Sequence, residues 1–196
     1  MQSNAGWQKL ILDEKKSSVL QPGSMQLDLS AIAKGYGVDL VARHLRDSGI
    51  AAALVEIGGE LYGYGCKPDG VAWQVLVEAC PDAGIDSAEP RVVALDGIAI
   101  ATSGDHWHAF EHQGTRYSHT LDPRTGKPVE HAPAAVTVIA DEAMRADAWA
   151  TALTVMGAEA GYEFARSRKL AARFVSRSGN GLRELMTDAF LARLPA

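Results

Sequence analysis

Cysteine is scarce: Cys66 and Cys80 are the two in 196 residues, too few for a disulfide framework. One bridge between them is open to the chain. Both stand in apolar, strand-like context, however, and two buried free thiols are expected. No apolar run approaches the ~20 residues of a membrane-spanning helix. Met1 to Lys9 lacks the apolar stretch of a secretory signal. Basic charge is not in surplus either: 19 Lys and Arg stand against 24 Asp and Glu, for a net charge of −5. No broad basic face is therefore available to displace counterions from a nucleic acid. A phosphate would have to be held locally, by a helix end, a backbone nest or a metal. Internal repeats and low-complexity tracts are also missing.

What is there is ordinary globular composition, 47% hydrophobic and 22% charged, with 19 glycines. A chain of this length can bury about 70% of its unfolded surface, and a single domain over residues 1–196 is expected. Trp7–Asp13 and Met25–Leu29 read as strands around a polar Pro22-Gly23 loop. Ser30 is placed to cap a helix reaching about Ser48, with Val38, Val41, Ala42 and Leu45 as its apolar stripe. Strands are expected at Ala52–Ile57, Leu61–Cys66, Val71–Ala79, Arg91–Leu95, Ile98–Thr102 and Ala134–Ala140. Asp96-Gly97 and Gln113-Gly114 each carry the signal of a tight hairpin, and residues 122–128 are all turn chemistry. Asp141 is placed to cap a helix ending at Met156, stopped by Gly157, and Ala158–Arg168 continues as a further helix. Ala171–Arg177 and Leu182–Thr187 close the chain as a hairpin. Hairpins dominate and helices are inserted between them, which predicts an α+β fold with a mostly antiparallel sheet.

Five segments hold candidate chemistry. Residues 28–37 join a strand to a helix whose first turn holds Lys34, Gly35 and Gly37. Glycine inside a helix costs about 1 kcal/mol against alanine, so something packs hard on the backbone there. The helix start with its ammonium suits an anionic ligand; a surface lysine beside helix–sheet contacts is the plainer reading. Asp147 and Thr151 lie four apart on one helix face, beside the small Ala143, Ala146 and Ala150. A carboxylate, a hydroxyl and nearby carbonyls are hard oxygen ligands of the magnesium type; an intrahelical polar pair would look the same. Residues 101–105 can present amides and hydroxyls to a phosphate or form an ordinary polar turn. His119, close to Asp122, suits acid–base or ligand-facing work, or a structural role. His106, His108 and His112 invite a zinc reading, with no cysteine or further ligand to support it.

Together these segments are more specific than any one. Residues 28–36 (DLSAIAKGY), 56–60 (EIGGE), 101–105 (ATSGD), 118–128 (SHTLDPRTGKP) and 146–153 (ADAWATAL) occur in the order and spacing of one family. From about Trp7 to about Val175 the chain resembles the ApbE family, the FAD:protein FMN transferases. The resemblance implies an ApbE-like, T-fold-like domain that binds FAD and Mg²⁺. It implies transfer of FMN to a threonine or serine hydroxyl of an acceptor flavoprotein, with release of AMP. By residue match, Asp147 and Thr151 supply side-chain metal ligands and Ala31 its carbonyl. Asp28 and Lys34 match FAD-contacting positions, Gly58, Gly59, Thr102, Ser103 and Gly104 match backbone along the cofactor, and Leu121 matches a flavin-site position. His119 matches the active-site histidine, as base or as FAD ligand. Family members are usually periplasmic or membrane-anchored lipoproteins, whereas no signal peptide is read in this chain.

Departures from the pattern are Glu60 where aspartate is usual, Ser30 where glycine is frequent, and His106-Trp107-His108 in place of a tyrosine-containing run. The larger departure is that 27 residues precede Asp28, far fewer than the family carries. A partial chain or a reduced family form is expected, with a less complete flavin-ring pocket. A sheet cut short in this way leaves an edge. Either self-association or coverage by Trp7–Asp13 is then expected. The alternatives to transfer are an FAD- or nucleotide-binding module without transferase activity and a Mg²⁺-dependent FAD pyrophosphatase.

Overall fold

A computed structural model describes residues 6–78, 89–104, 109–112, 115–130, 133–178 and 181–195. Cys80, His106, His108 and the Gln113-Gly114 turn lie outside them.

After a short 3-10 turn over Trp7–Lys9, strand β1 (Ile11–Asp13) pairs with β2 (Ser18–Leu20) in a small sheet of their own. This corrects the expected single strand over Trp7–Asp13. It also removes that segment as cover for the main sheet, since Trp7 is 74% and Leu12 69% exposed. Met25–Leu29 is likewise not a strand and pairs with none of the described sheets. Helix α1 (Ala33–Asp47) begins two residues later than expected, with Ile32 rather than Ser30 at the cap position. Ser30 does not cap it, because its amide is turned back to Asp28 Oδ1 at 2.8 Å. Gly35, Val38 and Ala42 form its buried stripe, while Val41, expected inside, is exposed.

Next come β3 (Ala53–Ile57), β4 (Glu60–Tyr64), β5 (Trp73–Val77), β6 (Arg91–Leu95) and β7 (Ile98–Ser103). The hairpin β8 (Ala109–His112) and β9 (Thr115–Ser118) follows, as expected, and then the two-residue strands β10 (Leu121–Asp122) and β11 (Lys127–Pro128). Strand β12 (Ala135–Ala140), α2 (Ala143–Met156), α3 (Ala158–Ser167), β13 (Ala171–Ser178), β14 (Gly181–Met186) and α4 (Asp188–Leu191) complete the chain. The main sheet has six strands in the order β14-β13-β12-β7-β4-β3. Every pairing among the described residues is antiparallel, as the alternation of hairpins and helices predicts. No helix among them is long and apolar enough to cross a membrane.

Period-two alternation sorts the core to the two faces of this sheet. Ala99 and Ala101 of β7, and Val136 and Val138 of β12, pack toward α1, α2 and α3. Ile100 and Ile139 pack on the other face, against Val77, Val93, Leu95 and Phe190. That second face is covered by the β5–β6 arm, a two-stranded sheet separate from the main one. Here the expected hairpin at Asp96-Gly97 is corrected: β6 pairs with β5, and β7 pairs with β4 and β12. Gly97 does take a positive φ of 71°, but the turn carries the chain from the arm into the main sheet, where its amide bonds Gly63 O at 2.8 Å. A fully buried Arg173 on β13 clasps the arm. It donates to Glu184 Oε1 at 2.6 Å, Val77 O at 3.1 Å and Glu89 O at 3.0 Å. Cys66 is free and exposed, in the connection after β4. The expected buried thiol is thus corrected, because the strand ends two residues before it.

Candidate functional site

A cleft of about 1870 Å³ opens where the start of α1, the inner face of α2 and the end of β7 meet. Asp28, Ala31, Lys34, Gly58, Gly59, Thr102, Ser103, Gly104, His119, Leu121, Asp147 and Thr151 all line it. Residues drawn from Asp28 to Thr151 thus converge on one space.

The junction of α1 and α2 is built from close contacts. A Cβ on Gly35 would stand 2.3 Å from Ala143 O, so only glycine lets the two backbones approach this far. The pressure expected from the glycines of this turn falls on Gly35; at Gly37 a Cβ would meet Ile57 at an ordinary 3.4 Å. The Gly35 amide donates to Asp147 Oδ2 at 3.0 Å. Around it the turn keeps its ladder, Ala33 N to Leu29 O and Tyr36 N to Ile32 O. In a regular helix the Gly35 amide would close on Ala31 O; Asp147 takes that amide instead. Asp39, four residues on, accepts from Ala143 N at 2.8 Å and Met144 N at 2.9 Å. It therefore caps α2 from another helix, in place of the expected Asp141; the residue at the cap position, Glu142, makes no side-chain cap bond.

Lys34 lies on the cleft wall, with its Nζ 2.7 Å from Glu60 Oε1 and 3.4 Å from Gly58 O. Gly58 and Gly59 form the two-residue turn between β3 and β4, with φ of 59° and 96°. Two positive values in succession suit glycine and match the primed turns that keep paired strands together. Glu60 is 1% exposed, and its Oε2 is buried without a hydrogen-bond partner. Burial pushes its carboxyl above the ordinary 4.5, the Lys34 hydrogen bond pulls it back, and the charge of Asp147 adds to the rise.

At the end of β7 the two hydroxyls diverge. Thr102 Oγ1 meets Thr137 Oγ1 at 2.9 Å across the sheet, and Ser103 Oγ meets Thr151 Oγ1 at 3.0 Å on α2. A Cβ on Gly104 would stand 2.2 Å from Ala134 O, so this strand end also abuts backbone. His119 is exposed at the cleft, in a turn where Thr120 N donates to Ser118 Oγ at 3.1 Å. Just beyond, Asp122 is buried and accepts from Arg124 Nε and Nη2 at 2.9 and 2.7 Å. Asp28 is exposed, and the side-chain and backbone hydrogen bonds of Ser30 hold its carboxyl below the ordinary carboxylate range.

The three lining residues read as metal ligands offer oxygens: Asp147 a carboxylate, Thr151 a hydroxyl and Ala31 a carbonyl. Such a set suits a hard divalent cation, and two buried carboxylates beside one ammonium leave negative charge for it to balance. Among the described residues no three His, Cys, Asp or Glu side chains gather as a metal cluster. Asp39 and Glu60 adjoin the site without a role read from the sequence, where Glu60 stands only as a departure from the motif. Asp39 carried a signal, an acidic residue four after Gly35 bordering the buried stripe of α1.

The model of the ApbE family matches residues 1–174. An FAD:protein FMN transferase of Vibrio cholerae serotype O1 is 40% identical over 166 residues, covering 85% of this chain and 49% of the relative. One of Escherichia coli strain K12 is 35% identical over 193 residues, covering 97% and 54%. In three dimensions the apo flavinyl transferase ApbE of Pseudomonas stutzeri superposes with a TM-score of 0.87 at 42% identity, covering 100% of this chain and 59% of that one. The flavin transferase ApbE from Vibrio cholerae gives 0.86 at 34%, covering 98% and 60%. The chain spans about half the length of the curated relatives it matches. A match over most of its length, in sequence and in fold, makes this chain a member of the ApbE family.

Proposed function

We propose that the chain is an FAD:protein FMN transferase domain, Mg²⁺-dependent, that moves FMN from FAD onto a threonine or serine hydroxyl of an acceptor flavoprotein. The observation that carries this reading is the convergence of all twelve motif residues on one cleft with an oxygen-only donor set beside a lysine. The relatives, FAD:protein FMN transferases of Vibrio cholerae and Escherichia coli, support the reaction class.

In the reaction the acceptor oxygen bonds to the FMN-side phosphorus of the FAD pyrophosphate. The bond from that phosphorus to the bridging oxygen breaks, and AMP leaves with the electron pair. The hydroxyl proton passes to a base. Asp147, Thr151 and the Ala31 carbonyl would hold Mg²⁺, which when bound offsets charge on the phosphoryl oxygens. The amides around Gly58-Gly59 and Thr102–Gly104, which line the cleft, would lie along the bound cofactor, and Leu121 would lie near its flavin ring. His119, held by its turn at the open side of the cleft, serves as the base or as a ligand of FAD.

The test incubates the protein with FAD, Mg²⁺ and an acceptor carrying the target threonine. Gain of the mass of FMN on the acceptor, with one AMP released per adduct, supports transfer. Release of AMP and FMN without an acceptor indicates the pyrophosphatase, and FAD binding without turnover indicates a binding module; either overturns the proposal.

A further inference from the structure

One turn of α1 ties two buried carboxylates to the cleft. Lys34 sends its ammonium to Glu60 Oε1 at 2.7 Å, and the next residue, Gly35, gives its amide to Asp147 Oδ2 at 3.0 Å. Glu60 does not line the cleft; it lies behind Lys34, 1% exposed, with Oε2 lacking a donor. A buried carboxylate oxygen without a donor is costly, and added positive charge nearby relieves it. When ionised, Glu60, Asp147 and Lys34 sum to one negative charge. Lys34 spends its short contact on Glu60, so its ammonium is partly neutralised where it faces the cleft.

We infer that Glu60 is a positioning residue that sets the charge of the cleft, raising its affinity for a divalent cation and lowering its affinity for a metal-free pyrophosphate. The inference rests on the cation reading of Asp147, Thr151 and Ala31. It acts through the field and through Lys34, since Glu60 is not itself among the residues that line the cleft. Glu60→Gln keeps the shape and an oxygen for Lys34, and removes the charge.

Two measurements on the purified chain test this: Mn²⁺ binding by electron paramagnetic resonance, and ADP binding by calorimetry in EDTA. Charge–charge coupling at an effective dielectric near 20 leads us to expect Mn²⁺ affinity about tenfold weaker in Glu60→Gln. ADP affinity in EDTA should be several-fold stronger, and Glu60→Asp should restore both toward the parent. Opposite shifts separate a field effect from damage, which would weaken both ligands. Weakening of both in folded Glu60→Gln overturns the inference, as does no change in either. A parent chain that binds no Mn²⁺ overturns the cation reading itself and the inference with it. If Glu60→Gln fails to fold, Glu60→Met removes the same charge and is held to the same outcomes.

Discussion

Asp147 gives one carboxylate oxygen to the Gly35 amide, so substitution there mixes two losses. Asp147→Asn keeps an acceptor for Gly35, and Asp147→Ala does not. Both are expected to lose calorimetric Mg²⁺ binding. Only the alanine variant should also lose stability in urea, by about 1–3 kcal/mol for the stranded buried donor; an asparagine variant that keeps its Mg²⁺ affinity would refute the ligand role. Glu60 adds a pH effect of definite sign. Its folded value lies above the ordinary 4.5. A raised carboxylate contributes stability that is present below the unfolded value and is lost as pH rises through the folded one. Without metal, the melting temperature of the parent should therefore fall relative to Glu60→Gln as pH climbs above 4.5. A difference independent of pH would contradict the burial argument.

Helices α1 and α2 are docked at three points within one stretch: Gly35 on Ala143, Gly35 to Asp147, and Asp39 on the α2 amides. Loss of a cap costs about 1 kcal/mol. Asp39→Ala should show that loss in urea denaturation and also weaken Mg²⁺, because Asp147 sits on one of the two helices it joins and Ala31 in the turn that leads into the other; unchanged Mg²⁺ affinity would mean the docking is held without it. The β5–β6 arm is the second element the cleft depends on, through Val75, Leu76 and Val77 in its wall. Its clasp centres on Glu184, between Arg173 and Arg91 at 2.6 and 2.7 Å. Burial raises the Glu184 carboxyl, but the hydrogen bonds from Arg91 and Arg173 outweigh it and hold the carboxyl below 4.5. Stability from a lowered carboxylate is present above the unfolded value and lost as pH falls through the folded one. Glu184→Gln should therefore be less stable than the parent near neutrality, by about 3 kcal/mol for a broken buried pair. The gap should narrow in acid below pH 4.5, read by fluorescence-detected unfolding.

Across the whole molecule, stability should be graded. Strand β12 is buried along nearly its full length between β7 and β13, and α2 buries Ala146, Ala150 and Leu153 against it. The β1–β2 and β8–β9 pairs stand in two-stranded sheets of their own. Amide hydrogen exchange should accordingly be slowest in β7, β12, β13 and α2 and fastest in β1, β2, β8 and β9. Equal rates throughout would contradict this assignment of the core.

Local chemistry was legible in the chain itself. Helix periodicity put Asp147 and Thr151 on one face, Gly157 ended α2, and paired glycines marked the β3–β4 turn, because each rests on contacts a few residues apart. The motif segments also named the members of the cleft. Tertiary structure decided what those signals were used for. A turn at Asp96-Gly97 has the same local geometry whether it closes a hairpin or crosses to another sheet, and only the placement of β4 and β12 beside β7 selects the crossing. Met25–Leu29 has strand-like residues but joins none of the described sheets. The cap of α2 comes from Asp39, 104 positions earlier, and Ser103 finds Thr151 48 positions later. The buried Glu60 behind Lys34 belongs with these. Such pairs follow from how the sheet stacks its strands and docks its helices, which short-range propensity does not encode.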